Sequence, residues 1–221
     1  MSLLNVADAA VELGVSARRV RQLLASGEMD GQQLGRSWVI DGAAINRLRP
    51  KRVGRPWSAA SAWAVLELAA GRDPELAPVE RSRARKRLAD NGLDGLVDQL
   101  RSRSARREMY AHPSALDRVC DERGVVRSGV SALNAYDVDL IASDEAEVYV
   151  CSSKVAGLID RYALDPHADR PNLIIRVVDD DVWPFDAGAN VAPWSVVAVD
   201  LLDANDERSR RAGLELIERN Q

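Results

Sequence analysis

The run "SARRVRQLLASGEMDGQQLGRSWVI" over residues 16–40 packs Arg18, Arg19 and Gln22 into one short helix-like stretch and follows them with Arg36-Ser37. At 3.6 residues per turn, Val20, Leu23 and Leu24 share one face while Arg18 and Gln22 point the opposite way. Forked guanidinium and carboxamide groups on a helix narrow enough for a major groove can bond base edges in pairs or clamp phosphates. A second chemistry-capable set is Asp179-Asp180-Asp181, at the end of the strand-like "NLIIRVV". With Asp200 and Asp203 further on, such carboxylates could hold Mg²⁺. The surrounding chain argues against that use. It carries no glycine-rich phosphate loop and no H-E-x-x-H, and His112 and His167 stand far apart in loop-like sequence. Cys120 and Cys151 have no nearby His or Cys. The sequence therefore reads as a non-enzyme with no metal site and no cofactor. The loop "DDDVWPFDAGANVAPW" suits either a small core plug or a patch for a basic protein partner, with Asp181, Trp183, Phe185 and Trp194 as its contacts.

The elements that must position these residues follow from caps and periodicity. Asn5 with Asp8 three positions later opens a helix carrying Val6, Ala9, Ala10 and Leu13, which Gly14 ends. Ser16 caps the second helix and Gly27 closes it. Two short β-type segments, Gln32–Leu34 and Ser37–Ile40, meet at Gly35-Arg36, with Trp38 and Ile40 packing the hairpin onto the helices. Asp41 caps a last short helix with Ile45 and Leu48. This unit, residues 1–49, is followed by a basic linker over 50–57. Around that boundary, Arg47, Arg49, Lys51, Arg52 and Arg55 crowd nine positions beside Pro50 and Gly54. Residues 58–109 read as a helical segment, with an arginine-rich helix at Arg81–Arg87 that could extend a basic surface. Residues 110–221 read as a domain of alternating strands and helices. "DVDLIA", "EVYVC" and "NLIIRVV" are its strands, "SALDRVCDERG", "SSKVAGLIDRYAL" and "DERSRRAGLELIERN" its helices, and "SVVAVDLLD" fits either. The fold class is α+β.

Composition bounds the function. The 221 residues are 46% hydrophobic and 29% charged, which fits a folded chain rather than a disordered one. The net charge of −4 conceals an asymmetry. Residues 1–110 hold 19 Lys and Arg against 13 Asp and Glu, whereas residues 111–221 hold 11 against 21. Such a bias either leaves only the first half able to meet a polyanion or reflects two ordinarily solvated faces, and charge alone favours the second. The longest apolar run, around Ala62–Ala70, contains Glu67 and falls short of a span, so no membrane role is expected. The N-terminus "MSLLNVADAA" lacks the basic and apolar regions of an export signal, and the two cysteines read as reduced thiols. The expected compartment is the cytoplasm.

The stretch "LLNVADAAVELGVSARRVRQLLASGEMDGQQLGRSWVI" resembles the winged helix-turn-helix of excisionase and MerR-like proteins. The shared marks are the Val-Ser-x-x-x-Val-x-x-Leu second helix, its Ser-Gly-Glu end and the Gly-Arg-Ser-Trp-x-Ile hairpin. That resemblance implies Ser16, Arg18, Arg19 and Gln22 as groove-facing residues and Arg36 and Ser37 as wing residues, with the cations Arg47–Arg55 tracking phosphates. "GRPWSAASAWAVLELAAG", "RSRARKRL", "VRSGVSA", "EVYV" and above all "APWSVVAVDLLDANDERSRRAGLELI" are similar to AbiEi-type antitoxins, although many of those begin with a different winged-helix arrangement. This second resemblance implies a transcriptional repressor of its own operon that counters a nucleotidyltransferase toxin. The partners expected are an operator in double-stranded DNA, the toxin, and a second copy of the chain, since one small reader covers a half-site. The alternative is a stand-alone regulator whose C-terminal domain senses a ligand or binds a protein.

Overall fold

The computed structural model describes residues 3–13, 15–25, 29, 31–35, 37–41, 57–138, 144–204 and 206–220. It is a mixed α+β protein of two compact units, residues 1–53 and 54–221.

In the first unit Asn5 sets the start of α1 (Val6–Leu13). Its Oδ1 accepts from the backbone N–H of Ala7 at 2.8 Å and of Asp8 at 3.0 Å, and its amide donates to the Asp8 carboxylate at 2.7 Å. Two otherwise orphaned helix donors are satisfied in this way. Ser16 does the same for α2 (Ala17–Ala25), accepting from the Arg19 N–H at 3.2 Å. Ala9, Ala10 and Leu13 of α1 bury against Val20, Leu23 and Leu24 of α2, closed by Met29 and the fully buried Ile40. The β-type segments form the hairpin β2 (Gly31–Leu34) and β3 (Ser37–Asp41), with Trp38 half-buried against this core. A strand absent from the sequence reading, β1 (Leu3–Leu4), pairs antiparallel with the free side of β3 and gives the order β1-β3-β2. Gly14, Gly27, Arg36, the linker cations Arg47, Arg49, Lys51, Arg52 and Arg55, and the short helix expected after Asp41 lie outside the described residues, as does the side chain of Ser37.

The second unit begins with α3 (Ala59–Ala69), α4 (Pro78–Asn91) and α5 (Val97–Leu100). The helical segment expected to reach residue 109 stops earlier, because Ala105–Met109 is a strand, β4. Four of its five residues are exposed, so it carries no apolar alternation to read. The order continues α6 (Pro113–Cys120), β5 (Val125–Arg127), β6 (Ala146–Cys151), α7 (Val155–Tyr162), β7 (Leu173–Val178), α8 (Trp194–Leu202) and α9 (Glu207–Asn220). The strands form one sheet, β4-β7-β6-β5, in which β6 and β7 run parallel across α7 and the outer pairs are antiparallel. Of the expected strand "DVDLIA", Asp137 takes a left-handed conformation and ends a 3₁₀ stretch, Gly129–Tyr136, while residues 139–143 lie outside the described set.

Helices cover both sheet faces, which is why β6 and β7 are nearly continuous apolar runs. Val148, Val150, Leu173, Ile175 and Val177 pack with Leu116 and Val119 of α6 and Leu158 of α7. Tyr149, Val126 and Val178 face the opposite core, shared with Trp63 and Leu66 of α3 and Val196–Val199 of α8. Helix α8 is buried from Ser195 to Leu202, so its sequence shows no amphipathic period, and this explains the ambiguity of "SVVAVDLLD". Gly213 lets α9 close onto it: a Cβ there would sit 2.8 Å from the Ala198 carbonyl oxygen.

Candidate functional site

The exposed face of α2 is the basic surface that the sequence anticipates. Val20, Leu23 and Leu24 hold the helix to its core, and this turns Arg18, Arg19 and Gln22 into solvent. Arg21, the third arginine of the run and not among the expected DNA contacts, is exposed with them. A helical wheel puts it one position past Val20, outside the apolar stripe, and that signal was available. Ser16 is exposed, but its hydroxyl oxygen is engaged in capping α2. The arrangement presents three guanidinium groups and a carboxamide from one rigid helix, a donor-rich face suited to phosphate oxygens or base acceptors.

The arginine-rich helix α4 carries a mostly exposed set of cations, some of them paired within the second unit. Arg81 donates to Asp73 at 3.0 Å and to the Pro74 carbonyl at 3.2 Å, Lys86 pairs with Asp90 at 3.3 Å, and the Arg87 guanidinium stands 4.9 Å over the Trp57 ring. Arg81 alone is part-buried, and Arg83, Arg85, Lys86 and Arg87 are exposed.

The acidic aromatic loop divides. Phe185 is buried, with ring centroids 5.5 Å from Trp63, 5.2 Å from Tyr149 and 5.1 Å from Trp183. It is a core plug with no face left for a partner. Trp183 and Trp194 are half-buried against the same core, and Asp181 is exposed. Asp180 reaches away from its neighbours, accepting from the Ser152 hydroxyl at 2.7 Å, the Ser153 N–H at 3.0 Å and the Ser153 hydroxyl. The Ser153 and Ser152 bonds hold its carboxyl down to about 2. Asp200 is sealed elsewhere, and among the described residues no three His, Cys, Asp or Glu side chains converge as a ligand set. His112 is occupied in capping α6, where its Nδ1 accepts from the Ser114 N–H at 3.3 Å.

A cluster that sequence reasoning missed lies between the sheet and α8. Asp200, fully buried, accepts from Arg103, from the Ser128 hydroxyl and from the Tyr149 hydroxyl at 3.0 Å, and stands 3.0 Å from the Arg176 Nε. Arg103 also donates to Tyr149 at 2.9 Å and to the Leu100 carbonyl at 2.8 Å. Arg176 bonds Glu147 and, at 3.3 Å, Asp203, which takes a further bond from Arg101 at 2.8 Å. Burial works against the Arg103 charge, but Tyr149 and Asp200 outweigh it and raise its pKa. Burial likewise opposes Arg176, and Asp200 and Glu147 more than compensate. Burial also pushes Glu147 up to about 7 against the pull of Arg176. Gly129, at φ +48°, leaves room for Glu147, whose Oε2 occupies the place a Cβ would take. With Arg103, Arg176, Glu147 and Asp200 all at most 4% exposed, no reactant can reach these groups. Their work is to lock β6, β7 and α8 together.

No family model, curated protein or solved structure matches the chain. Among the described residues no helix is long and apolar enough to cross a membrane. The functional reading rests on the residues themselves.

Proposed function

We propose that the chain is a DNA-binding transcriptional repressor whose first unit is a winged helix-turn-helix, with α2 as its recognition helix and the β2–β3 hairpin as its wing. The observation that carries this reading is the outward row Arg18, Arg19, Arg21 and Gln22 on a capped helix whose other face is buried. Ser16 caps this helix, a second capped helix packs behind it and a hairpin lies beside it, the order of elements that a winged helix-turn-helix requires. Arg18 and Gln22 would read base edges, while Arg19, Arg36 and the linker cations would hold phosphates. The likeness of the second unit to AbiEi-type antitoxins, strongest over residues 192–216, extends the proposal. The chain would repress its own operon and neutralise a nucleotidyltransferase toxin encoded beside it. The residues of that motif in α8 and α9 build the core of the second unit. Toxin contact is therefore assigned to exposed groups such as Asp181 and the open edges of Trp183 and Trp194.

Two arms test the proposal. The chain should repress a reporter driven by the DNA upstream of its own gene, and Arg18→Ala with Gln22→Ala should relieve that repression without lowering protein abundance. Co-expression with the adjacent nucleotidyltransferase frame should restore growth. Repression unaffected by the double variant would remove the recognition-helix assignment, and growth arrest despite co-expression would remove the antitoxin role.

A further inference from the structure

We propose that two copies of the chain associate by pairing their β4 strands, antiparallel and centred on Arg107, into one continuous sheet. The sheet order leaves β4 at an edge, and among the described residues no strand pairs with its outer side. The opposite edge is covered. There Arg127 donates to the Asn190 carbonyl at 2.9 Å and accepts from the Ala192 N–H at 2.8 Å. Just past β4, Tyr110 exchanges two backbone bonds with Asp165, at 2.8 and 2.9 Å, so the open stretch is bounded at Met109.

The direction of the free groups follows from alternation. The Met109 carbonyl accepts from the Asn172 N–H at 3.1 Å, toward β7, whereas Tyr110 turns both its groups to Asp165. Backbone groups alternate sides along a strand, so Arg106 and Glu108 present theirs outward with Tyr110, and Arg107 faces β7 with Met109. A twofold axis at Arg107 then sets Arg106 opposite Glu108 of the second copy as a hydrogen-bonded pair, twice over.

The charges select that register. Centring on Arg106 would oppose Arg106 to itself, and centring on Glu108 would oppose two carboxylates. Centring on Arg107 gives two Arg–Glu cross-strand pairs at the cost of one Arg107–Arg107 contact. Within one chain Arg106 and Glu108 already lie 2.5 Å apart on the same sheet face, so each is held ready beside its mate. A groove of about 280 Å³ beside this pair is lined by Arg106 and Glu108 together with Glu145 and Asp206. A charged edge normally resists pairing. This one is complementary to its own copy.

The proposal does not depend on DNA binding and is tested without DNA. The full-length protein is examined by light scattering across a concentration series. Wild type should dimerise, and Arg106→Glu and Glu108→Arg should each weaken the dimer by about tenfold. The double variant R106E/E108R should restore it. All of these residues are exposed, and the thermal midpoint is followed in parallel. Independently of those variants, Arg107→Cys should give a covalent dimer under mild oxidant, because a non-hydrogen-bonded pair holds its Cα atoms about 4.5 Å apart, within disulfide reach. Glu108→Cys should not, its two copies lying too far apart in this register. A monomeric wild type, failure of the double variant to rescue, or equal cross-linking of the two cysteine variants would overturn the proposal.

Discussion

In the first unit the guanidinium groups of Arg18, Arg19 and Arg21 stand in solvent on a helix anchored by its other face. In the second, those of Arg103 and Arg176 are sealed against Asp200 and Glu147. The difference is one of desolvation. A buried guanidinium is tolerated only when its carboxylates and carbonyls are already in place, so it holds structure together and has no donor to spare. An exposed one contributes little to stability and stays within reach of a ligand. The same residue type is thus fastened in one unit and presented in the other.

The largest break in that contrast should come from Asp200→Ala. Removing the shared acceptor leaves Arg103, Arg176, Tyr149 and Ser128 short of a partner in the core, and the second unit should lose about 3–5 kcal/mol in urea unfolding followed by tryptophan fluorescence. A loss no greater than that of an ordinary surface substitution would mean that water reaches the cluster. Phe185→Ala should cost about 3 kcal/mol by opening the contact between Trp63, Tyr149 and Trp183. A neutral result there would return Phe185 to the list of partner contacts. Asn5→Ala should cost the first unit about 1 kcal/mol through its lost cap, read as a lower thermal midpoint of that unit. The smallest effect concerns pH. Asp180 is held down to about 2, below its ordinary value near 3.8, so its contribution is complete above that ordinary value and is lost as pH falls toward 2. Asp180→Asn should lower stability slightly at neutral pH and flatten the acid limb of a stability profile, so that variant and wild type converge as pH falls toward 2.

Legibility in the sequence followed the same division. Helices α1 and α2 and the hairpin were readable because caps, period and turn glycine act locally, within a few residues of one another. The outward row on α2 came from the same period. Strand β1 was not readable, since two residues hold no pattern and it exists only because β3 has a side to pair with. Strand β4 was hidden by its exposed charges, and α8 by burial all round. The ionic cluster was the least readable feature. Arg103, Glu147, Arg176 and Asp200 come from distant segments, and a charge in a strand or helix ordinarily reads as a solvent-facing position. The available hint was that Arg176 and Asp200 each interrupt an otherwise apolar run where both faces are covered.

The contrast between presented and fastened arginines is tested most directly by measuring binding of the full-length protein to the DNA upstream of its own gene, against a scrambled duplex, over a salt series. Binding should be tighter to the cognate duplex, with log affinity falling by about 0.9 per phosphate contact for each unit of log salt. Arg18→Ala should cost about 1–3 kcal/mol on the cognate duplex alone while moving folding stability by less than about 0.5 kcal/mol. Equal affinity for both duplexes, unchanged by Arg18→Ala, would contradict it.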